Sequence, residues 1–144
     1  MVIDLLTFGL IGLLLTSAYV DLRTGLLPDA CSFAIAVLGF AIAVLSGALA
    51  SSLLGSLLAF SFFALQQILS NGKAVGTGDI FFACALGLWL GLHGTIVMLF
   101  FAYAIGAIVI GLLLLLKKIS LKKNQIPFGP FLALGALVSH FANL

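Results

Sequence analysis

Four acidic residues occur in this chain of 144, all of them Asp, and three fall where apolar stretches meet polar loops. Asp21 and Asp29 bracket the segment DLRTGLLPD, and Asp79 closes GTGD at the start of another apolar run. A charged side chain at the centre of a membrane helix costs about 2.5–3.5 kcal/mol on insertion scales, so an acid in or beside an apolar span is a functional candidate by default. Two carboxylates from different helices brought close together cannot easily both ionise, so they share a proton and titrate as a unit. The ionised member takes a proton from water while the protonated one polarises a carbonyl. That division of labour hydrolyses a peptide bond with no metal and no cofactor.

The elements that must position these acids lie in lipid. The chain is 64% hydrophobic and 7% charged, against about 45–50% and about 25% for an ordinary soluble domain. At this length it makes a single domain, residues 1–144, and its net charge of +2 is too small to imply nucleic acid. A spanning helix needs about 20 apolar residues. The runs and their interruptions predict an all-α polytopic fold of about six transmembrane helices, roughly at 2–20, 30–46, 50–69, 79–92, 94–116 and 128–143. Gly91-Leu92-His93-Gly94 reads as a tight turn between the fourth and fifth, with one long kinked helix as the alternative. The first stretch has Asp4 and no Lys or Arg before Arg23, so it reads as a retained span rather than a cleaved signal peptide.

The connections alternate in character. All six basic residues fall in alternate loops: Arg23 after the first helix, Lys73 after the third, and Lys117, Lys118, Lys122 and Lys123 after the fifth. The positive-inside rule makes that face cytoplasmic and puts both termini outside. The same topology gathers Asp21, Asp29 and Asp79 at the cytoplasmic face and leaves Asp4 at the other. The basic loop from Lys117 to Lys123 reads as a topology anchor that touches anionic lipid.

Each acid has a bland role to weigh against a chemical one. Asp29 follows Pro28 at the mouth of the second helix, where a carboxylate serves as an N-cap or first-turn acid; a direct part in the site is the other reading. Asp21 lies at a helix C-terminal end, where the dipole disfavours an anion, so stability gives no reason for it. In GTGD, Gly76 and Gly78 permit close backbone approach and leave Asp79 unobstructed. Alone, that pattern reads as a glycine turn with an Asp N-cap; beside DLRTGLLPD in a six-helix chain, it reads as half of a site.

Other residues offer less. Cys31 and Cys84 lie far apart in apolar runs, with no CxxC pair and no His at ligand spacing, so no metal site is expected. His93 and His140 fall toward the outer face. Trp89 and Tyr103 read as packing or interfacial aromatics. Gly9, Gly12, Gly39, Gly55, Gly87, Gly91, Gly106 and Gly111 read as helix-packing positions. A transporter would place its acids near mid-membrane, whereas these sit at helix ends.

Taken together, DLRTGLLPD, then GTGD with its ALGLWLG continuation, and IPFGPFLALGA near the C-terminus resemble bacterial type IV prepilin leader peptidases, GxGD-type intramembrane aspartyl proteases. The resemblance covers nearly the whole chain. It implies Asp21 and Asp79 as the catalytic pair and prepilins or type II secretion pseudopilins as substrates, with the active site on the cytoplasmic face of the bacterial inner membrane. Partners are then the substrate's transmembrane helix and the bilayer, with no nucleic acid, and the sequence leaves the oligomeric state open. Pro28, Asp29, Gly76, Gly78, Pro127, Phe128, Gly129 and Pro130 would line the site; the PFGP run reads either as a rigid turn or as part of the substrate's access route. A catalytically altered relative that only binds pilin-like helices, or a small membrane transport protein, is the competing expectation.

The chain also departs from that family in two ways. It shows no N-terminal Cys-containing cytoplasmic domain, so it reads as a compact form without S-adenosylmethionine-dependent N-methylation. Where relatives commonly carry Lys two residues after the second Asp, it has Phe81; the loss of a cation near the dyad would shift the pH optimum upward, be offset by Lys73, or mark altered activity.

Overall fold

The computed structural model describes residues 1–72, 75–116 and 127–142. They form five helices: α1 (Val2–Thr24), α2 (Asp29–Leu45), α3 (Leu49–Leu69), α4 (Thr77–Leu115) and α5 (Gly129–Phe141). Three of these, α1, α3 and α4, are long and apolar enough to cross a membrane. Large apolar side chains cover the outside, as at Phe8, Phe33, Leu57 and Phe100, which suits a lipid solvent and no other. Polar side chains inside helices are turned back on the backbone: Thr7, Thr16, Ser17, Thr24 and Thr95 each donate to the carbonyl four residues earlier at 2.7–2.8 Å. That satisfies hydroxyls where no water is available.

Helix α4 is 39 residues long, about twice what one crossing requires, and Gly91 breaks it with φ 72 and ψ −177. The break reverses the chain. Helix α3 meets the first arm (77–90) with Gly55 against Gly87. Ser51 lies against Gly91, and Gln66 is bonded to Tyr103 in the second arm (92–115). Residues on both sides of Gly91 thus lie in the same direction along α3 from Ser51, which a straight helix could not achieve. The expected turn therefore contracts to one glycine, and the helix on either side continues almost to it. The N–H of Leu92, freed by the break, donates to Ser51 Oγ at 3.1 Å. This is how a broken helix is tolerated in lipid.

With no hydrophobic drive between helices in lipid, close packing of small residues does the joining. A Cβ on Gly55 would come within 2.6 Å of the Gly91 backbone, and one on Gly39 within 3.0 Å of the Trp89 nitrogen. Gly87 and Gly106 are likewise packed, against Gly55 and against Phe128 and Phe131. Gly9, Gly12 and Gly111 are not: each faces open space, so these positions are corrected from packing faces to outward-facing ones. Composition cannot make that distinction, because it depends on which side of a helix a neighbour occupies. Between the packed stripes the core is filled by Leu10, Leu14, Ile35, Phe63, Phe82, Leu86, Met98 and Leu132, all fully buried.

Candidate active site

Two helix boundaries differ from expectation at the acids themselves. Helix α1 does not stop before Asp21; it continues one turn to Thr24 and closes at Gly25, whose φ of 67 lets its N–H bond the Asp21 carbonyl. Asp21 is therefore a residue of the last helical turn, and its side chain is turned inward, only 3% exposed. Helix α4 begins at Thr77, so Asp79 sits in its first turn instead of capping it. There its Oδ2 accepts the Gly76 N–H at 3.4 Å. The bond is long, and it reaches back across the helix entrance as the acid of a capping box does.

The buried Asp21 carboxylate has one strong partner: the Gly129 backbone N–H donates to its Oδ2 at 3.0 Å. Gly129 opens α5, where the first N–H groups have no partner inside the helix and the dipole favours an anion. Its neighbour Pro130 occupies the first turn, where proline loses nothing. Within the PFGP run it is Gly129 that meets Asp21, while Phe128 packs against Tyr103. A Cβ at position 129 would lie 2.5 Å from Asp21 Oδ2 and 3.1 Å from Leu27 Cδ2, so only glycine leaves room.

Leu27 joins the two halves. The chain folds inward after Gly25, and the same side chain that touches Gly129 lies 3.4 Å from where a Cβ on Gly78 would stand. Gly76 donates its backbone N–H to the Asp79 carboxylate from an ordinary extended conformation (φ −77), and Leu27 stands at van der Waals distance from where a Cβ on Gly78 would be, so neither position depends on glycine here. Asp21 and Asp79 come within electrostatic range of each other at this end of the bundle. Asp29 does not join them by any bond; it is exposed in the first turn of α2, behind Pro28 as N-cap. Its first-turn role suffices to explain it.

Tyr103, expected only to pack or to sit at the membrane interface, and Phe63 both pack against Phe128, next to the glycine that holds Asp21. Tyr103 packs its ring 5.0 Å from that of Phe128 and donates its hydroxyl to Gln66 at 2.8 Å. It lies within electrostatic range of Asp79. Phe63 completes the aromatic wall, 6.1 Å from Phe128. Phe81, by contrast, is 62% exposed and points outward from α4. At the far end of the bundle, His140 packs its ring against Trp89 with centroids 4.8 Å apart and planes tilted by 36°, well away from the acids. Lys73 and the basic stretch 117–123 lie outside the described residues. Among the described residues no three His, Cys, Asp or Glu side chains converge.

A membrane-type helical bundle with two carboxylates gathered at one end, one held by a helix N-terminus, is the class of site that fold and geometry define. The chain belongs to the type IV leader peptidase family, whose pattern matches residues 8–112. It is 31% identical over 143 residues to a prepilin leader peptidase/N-methyltransferase of Burkholderia pseudomallei, covering 95% of this chain and 46% of that protein. A similar enzyme of Aeromonas salmonicida is 30% identical over 141 residues, covering 94% of this chain and 47% of its own length. The leader peptidase HopD of Escherichia coli is 37% identical over 129 residues, with 82% of this chain and 80% of that protein covered. The chain thus spans about half the length of the bifunctional relatives and most of HopD. No solved structure matches it.

Proposed function

We propose that this protein is an aspartic endopeptidase that cuts the leader from type IV prepilins or pilin-like proteins at the cytoplasmic face of the bacterial inner membrane. What supports this reading is that Asp21 and Asp79, from helices far apart in sequence, lie within electrostatic range of each other, with Leu27 packed between Gly78 and Gly129. The names of the relatives supply the substrate class. In this reading α4 crosses twice, giving six crossings with both termini outside, and the basic loops hold the dyad at the cytoplasmic surface.

The chemistry follows from the pair. The ionised carboxylate takes a proton from water, whose oxygen attacks the scissile carbonyl carbon. The protonated carboxyl hydrogen-bonds the carbonyl oxygen as negative charge develops there. When the tetrahedral intermediate collapses, the C–N bond breaks and the amine leaves with a proton from the acid. The Gly129 N–H fixes the Asp21 rotamer throughout, a charge-assisted bond that costs no reorganisation during the reaction. Both proton transfers are supplied by carboxyl groups, so the mechanism calls on no metal or cofactor.

The test is co-expression with a prepilin in cells lacking their own leader peptidase, with the substrate's N-terminal mass read out. The expected result is loss of the leader in the presence of the parent chain. Several different prepilins left uncut by a well-inserted parent would contradict the proposal, and a further mass increase of one methyl group would add the second activity of the bifunctional relatives.

A further inference from the structure

Tyr103 connects two features of the bundle. On one side its ring meets Phe128, directly before the Gly129 that holds Asp21. On the other it lines a shallow apolar groove of about 440 Å³, together with Phe62, Leu99, Phe100 and Ala104. Its hydroxyl donates to Gln66 Oε1 at 2.8 Å, joining α3 to the second arm of α4. A glutamine carboxamide carries two N–H donors besides its acceptor. Among the described residues the Gln66 Nε2 donors find no acceptor, while the phenol oxygen keeps lone pairs free.

A peptide cut at the membrane surface has the complementary need. Backbone groups that leave a helix beside lipid lose their partners and must find others in the protein. We propose that Tyr103 and Gln66 are positioning residues that hydrogen-bond the substrate backbone where it leaves its helix, while the groove beside Tyr103 takes apolar side chains from the helix that remains. The proposal rests on the peptidase reading above. Tyr103 belongs both to the groove and to the aromatic contact with Phe128 beside Gly129, and the lining is apolar, which fits a transmembrane segment and not a charged leader. A helix is about 10–12 Å across, too large for this volume, so the groove takes side chains from one face at helical spacing.

The experiment uses the full chain in detergent with a labelled peptide carrying a leader and the apolar helix after it. Tyr103→Phe keeps the ring and removes the hydroxyl, and Gln66→Leu removes the carboxamide. Each is expected to raise KM about tenfold, the effect of one good hydrogen bond, with kcat reduced less and thermal midpoints close to the parent's. The same peptide should bind the uncleaving Asp21→Asn chain, and about tenfold more weakly when Tyr103→Phe is added. Ala104→Phe, which fills the groove, should weaken the helix-bearing peptide and spare a leader peptide that lacks the helix.

Unchanged KM and binding in both Tyr103→Phe and Gln66→Leu would overturn the proposal. So would a lowered thermal midpoint with unaltered kinetics, which would make the pair a tie between helices. Equal behaviour of the two peptides toward Ala104→Phe would assign the groove to lipid and overturn that half. A parent that binds the peptide without cutting it would remove the peptidase reading while the binding comparison still decides this one. A parent that binds nothing would overturn both.

Discussion

The backbone N–H of Gly129 donates to the carboxylate of Asp21 across 108 residues of chain, at 3.0 Å. This bond ties the last turn of the first helix to the first turn of the last one. It gives a buried acid a partner that carries no charge of its own, so the carboxylate is oriented without being neutralised by a cation.

Gly129→Ala therefore strikes the site directly. The new methyl would stand 2.5 Å from Asp21 Oδ2, between it and Leu27, and must displace one of them. A misplacement of about 1 Å at reacting groups costs on the order of 10²-fold in rate. Cleavage of a prepilin reporter should fall by about that factor while the protein still inserts and resists unfolding as the parent does. A rate within threefold of the parent's would show that the glycine is not needed for the acid's placement.

Phe81→Lys adds the cation that the family resemblance leads one to expect at this position, and it should change little. The side chain at 81 is 62% exposed, and a long cationic chain there has the reach to place its charge in the headgroup layer. The pH–rate profile should keep its shape, with kcat/KM within about threefold. A displaced profile would show that a cation at this position does reach the carboxylates.

Much of this was legible in the residues. The two acids declared themselves by cost, because nothing about stability recommends Asp21 at the end of a helix, and GTGD supplied the second. The end of α1 differs from expectation for a local reason: the charge of Asp21 suggests a stop, whereas Gly25, with its positive φ, is what ends the helix. Gly91 was recognised as a break, but its sharpness depends on a backbone state that only glycine adopts and that Ser51 satisfies from another helix. Tyr103 and Gln66 were illegible as a pair. They stand 37 residues apart in two apolar spans, and only the reversal at Gly91 brings them together.

The glycines divide into two classes by position, and substitution should reveal it. Gly87→Leu would drive a side chain into the Gly55 backbone, which stands 2.7 Å from the position of a Cβ. Overpacking of this kind destabilises by typically 1–3 kcal/mol, more where backbone must move. Gly12→Leu meets nothing within 4 Å and should leave the thermal midpoint in detergent unchanged or slightly higher. Equal losses at both positions would mean that Gly12 packs against something these helices do not show.

The central claim is that Asp21 and Asp79 act as one unit, and the most direct measurement is a cycle of cleavage rates. The parent, Asp21→Asn, Asp79→Asn and the double variant would be purified and given the same prepilin substrate at matched insertion and stability. Groups that act together are grossly non-additive. The account predicts that each single change reduces cleavage to the uncatalysed background and that the double variant is no slower than either. If one single variant keeps a rate within tenfold of the parent's, or the two losses simply multiply, the carboxylates do not work as a pair and the mechanism proposed here is wrong.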